Sequence, residues 1–256
     1  MKSLTDQQFV RYSRQVMMER WGEAGQLSLA DAKVVIIGCG GLGNTVASLL
    51  AGAGVGHITL MDDDNVELSN LPRQLAFDMG DIANAKVLAL ANRLREQNED
   101  IAVTPLLQRF EYGCASQCLS GATLVLDCSD NFATRYAINH ACLDLMLPLL
   151  SASVIGWHGQ MLLVINDGEH NSHGCYQCLF NHTDDRALNC NTAGVSGAAV
   201  AIVASYQANE AIRFMLGQKS TLSSSLMLID TISLDNKKLK RTSDPKCAVC
   251  ANKGKH

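Results

Sequence analysis

The sequence predicts an α/β fold: a doubly wound, Rossmann-like and mostly parallel sheet, extended by additional C-terminal strands and a cysteine knuckle. Three observations predict it. Short, wholly apolar runs alternate with stretches of helical period up to about residue 148, the pattern of parallel strands buried on both faces by intervening helices. The first apolar run ends in the spacing G-x-G-x-x-G at Gly38, Gly40 and Gly43, which in a strand-to-helix context marks a nucleotide-binding turn. Two C-x-x-C pairs, Cys175 with Cys178 and Cys247 with Cys250, lie in the C-terminal part.

Taken in order, "LTDQQFVRYSRQVMMERW" is expected to be an amphipathic helix with Thr5 or Asp6 near its cap, and "KVVIIG" the first buried strand. "LGNTVASLLAGAG" reads as a helix ended by glycine, "HITLMD" as a strand, "DIANAKVLALANRLREQN" as a long helix capped by Asp81, and "IAVTPLL" as a strand. A helix near Tyr112 to Leu119 leads to "TLVLDCSD", a fourth apolar strand, with "NFATRYAINHACLDLM" as the helix behind it. From about Leu149 the alternation changes. "LLSASVIGWHGQMLLVIND" suggests strands in quick succession, and Asp167 to Asn191 is polar and aperiodic, a long loop of the kind that carries function. "AGVSGAAVAIVASYQANEAIRFMLG" is expected to be a buried helix ending at Gly217, and "SLMLIDTISLDNKKLKR" the closing strands. With no repeat, low-complexity tract or linker, residues 1–256 read as one domain.

An apolar fraction of 47% supports a proper core, and a formal charge of -4 argues against a broad nucleic-acid or anionic-membrane footprint. The N-terminus lacks the apolar centre of a signal peptide, and no run approaches the roughly 18 apolar residues of a membrane span. A cytoplasmic protein is expected, in which the ten cysteines stay reduced and serve metal ligation or thiol chemistry.

The glycine turn brings backbone close to a ligand and offers the unpaired amides of a helix start to a phosphate. Asp62, ending the next strand, is placed to accept from a ribose hydroxyl. The loop beyond it, "DDNVELSNLPRQLAF", presents Asn70, Arg73 and Gln74, and Lys86 follows; a forked guanidinium and a point-charge ammonium together suit a triphosphate. Asp130 stands at the carboxyl end of the fourth strand, where it could hold Mg2+ on nucleotide phosphates or cap the helix beginning at Asn131. The glycine fingerprint by itself also allows a nicotinamide-dependent oxidoreductase, or a module that binds nucleotide without chemistry.

The two C-x-x-C pairs can supply the four thiolates of a tetrahedral structural Zn2+ site, a zinc knuckle that leaves no open position for chemistry. Cys39, Cys128 and Cys142 read as small buried hydrophobes, Cys114 and Cys118 receive no role, and His158, His170, His173 and His182 read as surface or core residues. Cys190 differs. It belongs to the polar loop and directly precedes "NTAGV", read as a helix start, where the thiolate form is favoured.

These residues together resemble the ThiF/MoeB/HesA family, relatives of the ubiquitin-activating enzymes. The match rests on "RYSRQ", "GCGGLG", "DDDNVELSNLPRQ", the helix lysine, "DCSDNFATR", both cysteine pairs and "NCNTAGV", and covers nearly the whole chain. The resemblance implies ATP-dependent adenylation of the C-terminal glycine of a small ubiquitin-fold sulfur carrier ending in Gly-Gly. It implies a nucleotide-binding part over about 1–148 and a carrier-binding and zinc part over about 149–256. ATP would meet Gly38, Gly40, Gly41, Gly43, Asp62, Asp64, Asn70, Arg73, Gln74, Lys86, Asp130 and Asn131, with Asp130 organising Mg2+. Arg73, Lys86 and Asp130 would be catalytic, joined by Arg14, which family dimers insert into the neighbouring subunit's site. Cys190 would take part in covalent linkage or sulfur handling with the carrier. "C-x-T-A-G" looks more like the thiamine-thiazole branch, with a ThiS-like carrier, than the molybdopterin branch, and the sulfur would come from a separate donor such as a cysteine desulfurase or a rhodanese-like protein. Pro72 departs from the glutamine common in the family, a change that stiffens the loop.

Overall fold

Asp6–Val16 forms the first helix, α1, because Thr5 stands outside it as a reciprocal cap: its hydroxyl accepts from the Gln8 amide at 3.2 Å, and the Gln8 side chain accepts from the Thr5 amide at 3.1 Å. The computed structural model describes residues 3–166, 173–181 and 194–251. The helix stops well short of Trp21, and a second helix, α2 (Gly22–Asp31), follows. Of its residues only Gln26 and Leu29 are buried, so it left no apolar stripe to read in the sequence.

The expected parallel sheet is present. β1 (Lys33–Ile37), β2 (His57–Asp62), β3 (Ala102–Leu107), β4 (Leu124–Asp127) and β5 (Leu149–Ile155) run parallel in the order β3-β2-β1-β4-β5. β6 (His158–Val164), β7 (Ser225–Asp230) and β8 (Asp235–Lys240) extend the same sheet antiparallel beyond β5. Side chains alternate across it. Val34 and Ile36 of β1 pack on one face with α3 (Gly41–Ala53), α4 (Lys86–Gln97) and α8 (Gly197–Met215). Val35 and Ile37 pack on the other with α5 (Ala115–Cys118), α6 (Phe132–Asp144) and α7 (Tyr176–Leu179). Among the described residues no helix is long and apolar enough to cross a membrane.

Two boundaries differ from expectation. The helix expected from Asp81 begins at Lys86, because Asp81 is engaged elsewhere: its carboxylate accepts from the Asp78 amide at 3.0 Å while Asp78 accepts from Gly80 at 2.8 Å, closing a 3-10 turn. The helix expected directly after Cys190 begins instead at Gly197, capped by Ser196. Cys190 itself lies outside the described residues, as do His170 and His182. Of the long polar loop, residues 173–181 are described and hold α7.

Candidate functional site

The strand order reverses between β1 and β4, and a crevice outside the carboxyl ends of strands at such a point is where ligands bind in open α/β sheets. A cavity of about 420 Å³ opens there. It collects Gly38, Gly40 and Gly41 after β1, Asp62 and Asp64 after β2, Asn70, Arg73 and Gln74 from the following loop, Lys86 at the start of α4, and Asp130 and Asn131 after β4. Twelve predicted nucleotide-site positions thus include one that does not line it, Gly43. A Cβ on Gly43 would stand 1.8 Å from the Gly38 carbonyl oxygen, so this glycine lets α3 close onto the turn and does not present a ligand surface.

Each polar group is held for a reason. Asp62 accepts from the Cys39 amide at 2.6 Å and the Asp64 amide at 2.8 Å, tying the glycine turn to the acidic loop. Burial pushes its carboxyl upward, and those two amides oppose the shift. Each oxygen keeps a further lone pair for a ligand hydroxyl. Lys86 is 6% exposed and sits at the first position of α4, where a cation opposes the helix dipole. Asp64, largely exposed, offsets this with an ion pair at 2.8 Å. Gln74 is buried with its Oε1 unpartnered, and its amide nitrogen lies close to Gly40. Such a group is a costly arrangement in a core and an ordinary one beside a polar ligand.

The two readings of Asp130 now separate. Asn131 caps α6, accepting from the Thr134 amide at 2.9 Å, whereas Asp130 is exposed and, among the described residues, receives only the Asn131 side-chain amide at 3.3 Å. Its carboxylate faces the cavity and is not spent on the helix. Arg14 lies elsewhere. It is exposed on α1, which packs against the far end of α3, where Gln15 donates to the Ala53 carbonyl at 2.9 Å. The 13 residues of α3 put roughly 20 Å between that end and the glycine turn.

Sequence reasoning missed Asp63, Ser69, Arg109, Ser129, Arg135 and Ser153, all of which line the cavity. Arg135 was visible within "DCSDNFATR"; it is buried and donates to the Ser129 carbonyl at 2.8 Å, bracing the turn that carries Asp130. Ser153 also lines a second cavity of about 450 Å³, with His158, Gly159, Asp230 and Lys237 of the antiparallel strands.

The two cysteine pairs meet. The Sγ atoms of Cys175, Cys178, Cys247 and Cys250 all lie within 4.8 Å of one another, with separations of 4.0 Å (Cys175 to Cys178), 3.8 Å (Cys175 to Cys247) and 3.3 Å (Cys178 to Cys250). Ligands at the Zn–S distance of about 2.3 Å stand roughly 3.8 Å apart in a tetrahedron, so donor type and spacing both fit Zn2+. Gly174, at φ +76, permits the closure: a Cβ there would press on Cys178 and Ser243 at 3.0 Å. Burial pushes the thiols of Cys39, Cys128 and Cys142 upward, as expected of inert buried cysteines.

The chain matches the ThiF family model over residues 12–249. It is 41% identical to the sulfur carrier protein ThiS adenylyltransferase of Escherichia coli (strain K12), over 96% of this chain and 97% of that protein. It is 34% identical to the molybdopterin-synthase adenylyltransferase of Salmonella typhimurium (strain LT2), over 98% and 99%. The solved structure of E. coli MccB with AMPCPP and MccA superposes with a TM-score of 0.81 at 25% identity, covering 94% of this chain and 74% of that one. On the family match and on identity along nearly its whole length, the chain belongs to the ThiF family.

Proposed function

We propose that this chain adenylates the C-terminal glycine of a ThiS-like, ubiquitin-fold sulfur carrier for thiamine thiazole synthesis, residues 1–256 acting as one unit. The observation that carries the reading is the convergence of Arg73, Lys86 and Asp130 on the glycine turn at the β1/β4 reversal. The greater identity to a ThiS adenylyltransferase than to a molybdopterin-synthase adenylyltransferase favours the thiamine branch.

In this reading the carrier's terminal carboxylate oxygen attacks the α-phosphorus of ATP. The bond from that phosphorus to the bridging oxygen breaks, its electron pair leaving with pyrophosphate, and a carrier acyl-adenylate results. Mg2+ bound with the nucleotide supplies charge neutralisation on the phosphates. Lys86 and Arg73 stabilise charge that moves onto the leaving group, Asp62 and Asp64 position the ribose and the lysine, and Asp130 would hold Mg2+ beside the triphosphate. No side chain forms a bond to substrate in this step. The carrier's tail reaches the nucleotide past Ser153, the residue shared by the two cavities, and its body rests near β6 to β8. The four cysteines would hold structural Zn2+, which would pin the tail to the body. Cys190 takes part in covalent linkage or sulfur handling: its thiolate attacks the carbonyl carbon of the carrier acyl-adenylate, the bond from that carbon to the phosphate oxygen breaks, AMP leaves and a carrier thioester forms, with sulfur then coming from a separate donor such as a cysteine desulfurase or a rhodanese-like protein. The protein acts in the cytoplasm, without nucleic acid or membrane.

Arg14 completes the site of a second copy. It stands too far along α3 to reach its own cavity, and α1 and its end expose Phe9, Val10, Met17 and Met18, an apolar face suited to a homodimer. Mixing inactive Arg14→Ala and Asp130→Ala chains under exchange is therefore expected to restore activity to roughly a quarter of parental sites, since each mixed dimer keeps one intact site. No recovery in a sample shown to contain mixed dimers would contradict the shared site.

The branch is tested by ATP–pyrophosphate exchange with purified carriers. A ThiS-type carrier is expected to give a kcat/KM at least about tenfold above a molybdopterin-type carrier, a difference of roughly 1.4 kcal/mol in transition-state binding. The reverse order would move the protein to the molybdopterin branch.

A further inference from the structure

The helix between the first two cysteines, α7, is a single turn of four residues, and so short a helix does not hold itself in place in water. Its position comes from what lies on either side. Towards the tail, Cys175 stands 3.8 Å from Cys247 and Cys178 stands 3.3 Å from Cys250. Towards α6, the Tyr136 hydroxyl donates to the Phe180 carbonyl at 2.6 Å, and the fully buried Asn139 side chain accepts from the Tyr176 amide at 3.0 Å. The rings of Tyr136 and Tyr176 meet edge-on with centroids 6.1 Å apart, and Tyr176 lies 4.6 Å from Phe180. The cysteine turn is thus clamped between the tail cysteines and one face of α6.

The first turn of α6 belongs to the nucleotide cavity. Asn131, Thr134 and Arg135 line it, directly after Asp130. Tyr136 stacks on Phe132 at 6.0 Å, the Arg135 guanidinium lies 5.6 Å from the Phe132 ring, and Arg135 braces the Asp130 turn through the Ser129 carbonyl. An unbroken series of contacts therefore runs from the cysteines through Phe180, Tyr176, Tyr136 and Phe132 to the wall of the cavity. Packed side chains on one rigid helix are the means by which two separated sites come to share a free energy.

We propose that Tyr136 is a positioning residue for the adenylation site: through it the metal-closed cysteine knuckle steadies the first turn of α6, so that zinc and MgATP each tighten the binding of the other. The proposal rests on the zinc and nucleotide readings above and adds a link that neither contains. Such linkage is reciprocal in binding free energy and typically amounts to about 5- to 150-fold. Tyr136→Phe keeps the ring and removes only the bond to Phe180, a loss equivalent to about fivefold.

The test is equilibrium competition for zinc with a chromogenic chelator on the full-length protein, with and without saturating MgATP and without carrier, beside far-UV circular dichroism as the folding control. In the parent, MgATP is expected to tighten zinc about tenfold, and removal of zinc to weaken ATP binding by about the same factor. In Tyr136→Phe, which should still hold zinc and bind ATP, both factors are expected to fall to about twofold. Zinc affinity unmoved by MgATP in the parent overturns the proposal, as does the full parental linkage in Tyr136→Phe. A folded parent that holds no zinc overturns the zinc reading, and one that holds zinc without binding ATP overturns the nucleotide reading; either takes the proposal with it. If Tyr136→Phe does not fold, Phe132→Leu, which removes the ring on which Tyr136 stacks, replaces it: reduced linkage supports the proposal, and parental linkage rejects it.

Discussion

Replacing Asp130 with alanine is expected to lower carrier-dependent ATP–pyrophosphate exchange by about 100- to 1000-fold, the range seen when one preorganised electrostatic group is lost from an active site, with the thermal midpoint unchanged. The structure separates the two effects. Asp130 is exposed, its single side-chain hydrogen bond among the described residues comes from its neighbour Asn131, and Asn131 performs the capping of α6. Among the described residues nothing in the fold depends on that carboxylate. Exchange measured at saturating carrier, beside a thermal melt, checks both halves; activity within about threefold of the parent would remove Asp130 from the mechanism.

The second large effect falls on the fold. Gly43→Ala places a methyl 1.8 Å from the Gly38 carbonyl oxygen and 3.4 Å from the Cys128 Cβ, so α3 must withdraw from the turn that it is meant to seal. Overpacking of this kind typically costs about 1–3 kcal/mol, and a backbone obstacle places the variant at about 3 kcal/mol or beyond. A denaturant titration should show that loss together with weakened ATP binding. Gly113→Ala, where an added Cβ meets nothing within 4 Å, serves as the control and should stay within about 0.5 kcal/mol of the parent.

The parallel sheet was legible because its signals are local. "KVVII" and "LVLD" are apolar throughout, as strands buried on both faces must be, and the glycine spacing names the turn between β1 and α3. What was not legible depends on partners distant in sequence or on competing side-chain bonds. α2 buries too little to show a period. Asp81 looks like a helix cap and instead bonds back to Asp78, which moves the helix start to Lys86 and makes that lysine the first residue of α4. Ser153 enters the site from β5, and Arg135 enters by reaching back beneath Ser129; neither has a spacing that announces it. The burial of Arg241 is hidden by the exposed lysines of the strand before it. The cysteine pairs were readable from spacing, and the structure adds that their sulfurs meet.

The central claim, that this site transfers an adenylyl group to a carrier terminus, is tested most directly by intact mass spectrometry of a purified ThiS-type carrier incubated with the protein and MgATP. The account predicts a carrier mass increased by one adenylyl group, formed with release of pyrophosphate and absent when the carrier's final glycine is deleted or Asp130 is replaced by alanine. A carrier of unchanged mass beside protein that binds ATP tightly would contradict it, and would leave a nucleotide-binding module in place of the enzyme.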